Sequence, residues 1–436
     1  MLKYHLGLGR VTAAFFLLIV LGSGAQAQTA DREIRKLTLK QAEDEFLEKN
    51  LSLLSSKYAI ETAKAGIITA KLFDNPQIGF ENILYNPQTK RFLDMTYDGG
   101  QNNASISQLF QTAGKRNKNI QLAKINVQQA EYQFFDLLRT LKYTLRSDFY
   151  KMYFLEQSAS VYKEEINSLA KTLVSFQQQY KVGNISKKEV LRIQSQLYAL
   201  QAELSELQDS IDDVQSEFKL LIRANPTTYI VPETQADLDQ NNVLGSVSYV
   251  SLLDAATANR YDLKIAQSAI DYNQVNLRLQ RAMAVPDVNM SLTYDKNGST
   301  VRNYTGVGIS IPIPLFNRNQ GNIKAAKIAI DDSKLNLNMQ QDQVQSDLDN
   351  SYQSAARLEQ LFKGFDPGFK NDFNNLIVEV MKNYQLRNIG LLEFLDFYDS
   401  YKTNAIQFNT LQLNRINALE QLNYVTGTSL FNKTDK

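Results

Sequence analysis

Tyr180-Lys181-Val182-Gly183-Asn184-Ile185-Ser186 returns 204 residues later as Tyr384-Gln385-Leu386-Arg387-Asn388-Ile389-Gly390, and these two short stretches decide the fold. The first closes a run from about 115 to 180 that contains neither Pro nor Gly. Within it Phe134, Leu138, Leu141, Leu145, Phe149, Met152 and Leu155 keep a helical spacing. About 65 residues at ~1.5 Å each make a rod of roughly 98 Å, longer than any compact domain needs. Behind the turn, Val190, Ile193, Leu197, Leu200, Leu204, Leu207, Ile211, Val214, Phe218 and Leu221 alternate spacings of three and four. That is a heptad seam, so the chain folds back on itself as a long helical hairpin. In the second copy the seam is Phe394, Phe397, Tyr401, Phe408, Leu411, Leu422 and Val425. Asn404, Arg415 and Ala418 interrupt it, which predicts looser packing or partial exposure to water.

The duplication extends outward from the tips. Ile106-Ser107, Ile120 and Ala123-Lys124 match Ile309-Ser310, Ile323 and Ala326-Lys327 at an offset of 203, and Ala59-Ile60 and Pro76 match Ala269-Ile270 and Pro286 at 210. Each half opens with a predicted helix, 38–73 and 250–284, ended by Asn75-Pro76 and Val285-Pro286, because proline removes a helix donor. The period then changes to two. Val288, Met290, Leu292 and Tyr294 alternate with polar residues, as do Val307, Ile309, Ile311 and Ile313 with Gly308, Ser310 and Pro312. Ile78, Phe80 and Leu84, with a less regular partner at 103–111, form the first-half pair. These are one-sided strands, joined by polar loops at 86–102 and 295–303. The second long helix is expected to break at Gly364-Phe365-Asp366-Pro367-Gly368. The plan is a signal at 1–27, a first repeat at 28–223 (strand pair about 76–111, tip near 183), an equatorial linker at 224–249 with a short β-like Tyr229-Ile230-Val231, a second repeat at 250–430 (strand pair about 286–313, tip near 388) and a tail at 431–436. The return helix and the opening helix of the next repeat, stacked end to end, match the length of the rod beside them.

Composition excludes much of chemistry. Lys3 and Arg10, the apolar run Val11 to Leu21 and Ala25-Gln26-Ala27 have the pattern of a cleaved secretory signal. Its loss leaves 45 basic against 46 acidic residues, which gives no footprint for nucleic acid. There is no Cys, and the only His, His5, lies in the signal. A Ser-His-Asp site, a thiolate site and the usual zinc ligand sets are therefore ruled out. No nucleophile elbow or phosphate loop is present, the Met residues form no ladder, and we expect no enzyme, no cofactor and no metal site. No mature apolar run approaches 18 residues, so a membrane span requires a closed barrel. Four strands cannot close one alone, so oligomerisation is forced; three copies give twelve strands and room for a lumen.

The order of helix, strand pair, long hairpin, linker and repeat resembles the TolC family of outer-membrane efflux and secretion ducts. Ile309-Ser310-Ile311-Pro312-Ile313-Pro314-Leu315-Phe316 is similar to that family's strand-to-helix stretch, the two tips to its turns, and Tyr424-Val425-Thr426-Gly427 to its C-terminal close. The resemblance implies a mostly α fold with a small transmembrane β part: a homotrimer with a 12-stranded β-barrel, four strands per chain, on a long periplasmic α-helical coiled-coil barrel. It implies an outer-membrane channel subunit of a tripartite export system, passing small molecules, drugs or metal ions from a periplasmic adaptor and inner-membrane pump. The tip residues Val182, Gly183, Asn184, Ser186, Arg387, Asn388 and Gly390 are then the adaptor-contacting positions, and Arg387 stands where the family has glycine. Counted from the tip, Glu393 and Asp396 occupy the positions of the family's acidic constriction, and Asp399 continues the series on one helix face. Threefold symmetry gathers such carboxylates into cation-favouring rings; the plainer alternative is a solvated acidic stripe. The rival reading of the whole chain is a periplasmic coiled-coil adaptor or scaffold without a pore, which has no use for four one-sided strands.

Overall fold

A computed structural model describes residues 33–234, 244–297, 301–365 and 369–431. The expected signal, the middle of the linker, the tail beyond 431 and residues 366–368 of the expected break lie outside these residues. Strand β1 (Ile34–Thr38) leads into helix α1 (Leu39–Lys49), where Thr38 and Gln41 form a reciprocal capping box. The predicted 38–73 helix is in fact two. Asn50 ends α1 and caps α2 (Leu51–Lys71), its side-chain oxygen accepting from Leu53 N and its amide donating to Leu221 O at 2.9 Å. The second repeat breaks at the matching place. Arg260 separates α5 (Tyr249–Asn259) from α6 (Tyr261–Met283), with its guanidinium held by Asp262 and Asp347. Neither break carries Pro or Gly, so nothing local announces it; a tertiary hydrogen bond holds each kink.

The rod α3 (Lys115–Lys181) is one helix of 67 residues, about 100 Å long. It folds back through the tip into α4 (Lys187–Ile222). Near the tip α3 packs on α4 through Leu169, Leu173, Val190, Ile193 and Leu197, and at its far end on α6 through Leu122, Val275 and Leu279. The expected end-to-end stacking beside the rod is thus present. In the second half, α7 (Gln320–Lys363) and α8 (Phe369–Gln385) lie on either side of the expected break, and α9 (Leu391–Thr426) returns. A strand not foreseen from the sequence joins the ends of the first repeat. β1 pairs in parallel with Tyr229–Glu233, residues 195 positions away in the register, and Gln215 bonds the strand's Ile230 at both backbone groups. Phe46, Leu53, Phe149, Met152, Phe218, Ile222 and Ile230 form the apolar core there.

The expectation of a looser or partly exposed second seam holds at Asn404, which is exposed, and is overturned at Arg415, 3% exposed, and at Ala418, which is also buried. Arg415 donates to Glu359 at 2.7 Å and lies 4.1 Å from the Phe362 ring, so the polar interruption is a buried ion pair tying α9 to α7. A second buried group ties α9 to the rod. Arg146 bonds Glu420 through Nε and Nη2 (2.8 and 2.9 Å) and Glu43 through Nη1 (2.6 Å). Removing one member of such a group leaves charge unpaired in the interior. Arg146→Ala is expected to destabilise the chain by about 3–5 kcal/mol, read as a large drop in the thermal midpoint of the detergent-solubilised protein; a shift of a degree or less would contradict it.

Candidate functional site

The strands gather into one antiparallel sheet at the end of the helices remote from the tips. With β2 (Gln77–Asn82), β5 (Asn102–Phe110), β7 (Val288–Asn297) and β8 (Arg302–Ser310), the order is β2-β5-β7-β8. A short hairpin, β3 (Tyr85–Asn86) with β4 (Arg91–Phe92), occupies part of the expected 86–102 loop, and Tyr229–Glu233 is β6. The β8 strand stops at Ser310, short of the expected 313, because Pro312 and Pro314 have no N–H to donate.

The register sorts the two faces. Ile78 is opposite Ile106, Ile106 opposite Leu292 and Leu292 opposite Val307, so one apolar row crosses all four strands. Phe80, Ala104 and Tyr294 extend that face on one side and Met290 and Ile309 on the other. Ile78 and Val307 are 82% and 76% exposed, so the chain itself does not cover them. The opposite face carries Gln77, Gly79, Ser105, Ser107, Ser291, Thr293, Gly306 and Gly308. A Cβ at Gly79 would lie 2.8 Å from Ser105 Oγ and one at Gly308 would lie 2.6 Å from Ser291 Oγ, so a side chain at either glycine would have to displace the facing serine hydroxyl. Apolar outside with polar inside is the inverse of a water-soluble sandwich, and it is what a lipid-facing barrel wall requires. Among the described residues, β2 pairs only with β5 and β8 only with β7, so both outer edges are open.

At the other end the two tips stand together. Tyr384 stacks on Phe394 at 4.2 Å and on Phe176 at 5.5 Å, joining the hairpins. Their turns are the same turn twice. Gly183 N donates to Tyr180 O and Arg387 N to Tyr384 O, both at 3.0 Å; Asn184 and Asn388 each bond back to residues 179 and 383 through backbone and side chain. Gly183 has φ +78° and Arg387 has φ +62°. The arginine therefore keeps the family-like geometry by adopting a left-handed conformation that costs a non-glycine residue about 1–2 kcal/mol. Val182, Asn184, Ser186, Arg387, Asn388 and Gly390 are all exposed at this end; Ser186 is also the N-cap of α4, in a capping box with Glu189.

Glu393 and Asp396 are exposed one turn apart on α9, with no ion pair among the described residues. Asp399 differs: it is held by Lys402 at 3.1 Å, and Lys402 reaches Glu203 of α4 at 3.0 Å. Sequence reasoning missed this bridge, although Lys402 follows Asp399 at helical spacing. It also missed Glu165 of the rod, 2% exposed, with both carboxyl oxygens unbonded. Burial pushes the Glu165 carboxyl up to about 8, with Asp399 and Glu203 adding to the shift and Lys402 opposing it. No sequence signal marks it, since a lone Glu on a rod reads as surface. Among the described residues, no group of three or more His, Cys, Asp or Glu is placed to hold a metal ion, and no helix is long and apolar enough to cross a membrane.

The sequence pattern of the family described as outer membrane efflux protein matches residues 43–221 and 252–363. The chain belongs to that family. This outer membrane efflux protein is 22% identical over 375 residues to the cobalt-zinc-cadmium resistance protein CzcC of Cupriavidus metallidurans, covering 84% of each chain. Its fold is similar to that of a membrane protein from Pseudomonas aeruginosa (TM-score 0.72, 14% identity, 91% of this chain and 92% of that one). It is also similar to that of the outer membrane protein VceC of Vibrio cholerae (TM-score 0.68, 16% identity, 89% and 96%). Its place is the outer membrane, with the two-faced sheet as the membrane part and the helices on the periplasmic side. The rival reading as a soluble adaptor or scaffold fails on the same match.

Because native Glu165 binds its proton more tightly than the unfolded chain does, stability is full below the ordinary glutamate range and falls as pH rises toward about 8. Glu165→Gln is expected to flatten that decline. Melting midpoints across pH 5 to 8, a window of about three units, measure it; equal slopes for the two proteins would refute the buried-carboxyl assignment.

Proposed function

We propose that three copies close the two open strand edges into a 12-stranded barrel and that their helices form a passive duct fed by a periplasmic adaptor and an inner-membrane pump. The observation that carries this is the sheet: four strands with an uncovered apolar face and two unpaired edges, on rods of about 100 Å. Unpaired backbone groups cost several kcal/mol each in hydrocarbon, so an open edge must find another strand. Twelve strands leave a lumen lined by the Gly, Ser and Thr face, which suits a polar solute. No reaction is assigned to the duct; it lets cargo pass. Chemical cross-linking of the purified protein in detergent is expected to trap a trimer; a clean dimer or a monomer would overturn the closure.

Glu393 and Asp396 supply the constriction in this reading. Their exposure on α9 beside the tips, without cationic partners, supports three-fold carboxylate rings about the axis. Asp399, neutralised in part by Lys402, takes a lesser share, and Lys402 ties the gate helix to Glu203 of α4. In planar bilayers, divalent cations should block the wild-type channel, and Ala at both positions should relieve the block several-fold; unaltered current traces would reject the rings.

The exposed tips at 182–186 and 386–390 are the adaptor-docking ends. Arg387 puts a cation at the turn position that Gly183 holds in the first tip. Likeness to CzcC, named for cobalt, zinc and cadmium resistance, supports divalent metal ions as the cargo class. Cells deleted for the gene should grow poorly in zinc or cadmium salts and recover with the wild-type copy; unchanged tolerance would send the cargo elsewhere.

A further inference from the structure

The excursion between β2 and β5, residues 83–101, buries two polar side chains and exposes large apolar ones, with Lys90, Arg91 and Asp98 exposed beside them. Asp94 is 2% exposed, accepting from the Thr89 hydroxyl at 2.5 Å, the Thr96 hydroxyl at 2.6 Å and Thr96 N at 2.9 Å. Asn86, also buried, accepts from Gln88 N and Thr89 N and donates to Gly99 O at 2.6 Å. Its apolar groups point away: Leu84, Phe92, Leu93 and Met95 are 58–73% exposed. The arrangement is a built one. Lys90 and Leu93 hold left-handed backbone, and a Cβ on Gly100 would lie 2.5 Å from Asp94 O.

Two contacts show on which side of the sheet this excursion lies. Asn82 follows Ile78 and Phe80 on the apolar face, and its side-chain amide lies 3.4 Å from Met95 Sδ. Lys296 follows Met290, Leu292 and Tyr294 on the same face, and its ammonium donates to Thr96 O at 2.6 Å. Leu84 continues the alternation of the apolar strand. The β2 strand ends level with its neighbours, with Asn82 opposite Asn102 at the start of β5 and Asn103 opposite Asp295 near the end of β7, so the excursion leaves from the rim of the sheet itself.

We infer that residues 83–101 form an interfacial foot at the boundary of the outer leaflet, with Leu84, Phe92, Leu93 and Met95 against the acyl chains and the exposed Lys90, Arg91 and Asp98 at headgroup level. A loop bathed in water gains nothing by exposing four large apolar groups; a loop at a lipid boundary gains by seating them and by keeping Asp94 bonded inside. The foot carries the apolar band of β2 past the end of the sheet, and it widens the grip of each subunit on the bilayer. The inference rests on the apolar face of the sheet facing lipid.

The chain has no Trp, so a single introduced one reports on its own surroundings. The full-length protein carrying Met95→Trp would be reconstituted in phosphatidylcholine–phosphatidylglycerol vesicles with brominated acyl chains, beside Leu292→Trp and Val182→Trp. The expected result is several-fold quenching of Met95→Trp and Leu292→Trp, with Val182→Trp unquenched. Quenching of Leu292→Trp alone overturns the foot and puts the excursion in the lumen or against the neighbouring subunit. No quenching of Leu292→Trp overturns the lipid-facing sheet and the foot with it. Leu84→Trp repeats the measurement if Met95→Trp does not assemble.

Discussion

An unpaired backbone group has nowhere to bond inside a bilayer. That constraint governs this protein, because its one membrane-facing sheet has two free edges, on β2 and on β8. The apolar row from Ile78 to Val307 commits the sheet to lipid, and the open edges commit it to other strands. The polar Gly, Ser and Thr face then has to enclose water. A subunit built this way is half of nothing on its own, and its long helices follow the same rule: much of their apolar surface, such as Leu191, Tyr198 and Leu220, stays exposed in the single chain.

Within the chain, the helices are held by a row of separate apolar clusters along their length, since a bundle of this shape has no centre. Between the clusters sit ion pairs, two of them buried and the third, at Lys402, part-exposed. Arg146 with Glu43 and Glu420, Arg415 with Glu359, and Lys402 with Glu203 and Asp399 each tie α9 to a different neighbour. Such pairs add little net stability over apolar contacts, yet they fix register, because a slipped helix would strand a charge. The α9 helix carries all three, and it also carries Glu393 and Asp396. Near the tip the register bond is the part-exposed Lys402 bridge beside buried Glu165, so that end is held by charges that water reaches more easily than the deep Arg146 group.

Long-period features were legible before any coordinates. The 67-residue rod, the heptad seam from Val190 to Phe218 and the alternation of Val288 to Tyr294 need only local spacing, and the structure contains each. The features that were missed depend on partners far along the chain. Leu37 lies in a strand only because Pro232 stands opposite it, and Asn50 ends a helix only because Leu221 O takes its amide. The Arg415 interruption looked like a weak seam because the sequence does not show Glu359 facing it. Of the site, the tips and the acidic positions were legible as turns and helix faces; Glu165 and Lys402 were not, since burial is a property of the assembled bundle.

Sequence by itself determined the long rods, the strand pairs, the twofold repeat and the absence of thiol chemistry, because periodicity and composition are local quantities. It also determined that Arg387 stands where Gly183 stands. Only the tertiary structure decided that Arg387 adopts the same left-handed turn, that the four strands line up with one apolar row, and that the edges remain open. Those are facts of register and backbone angle, and they are fixed when segments some 200 residues apart meet.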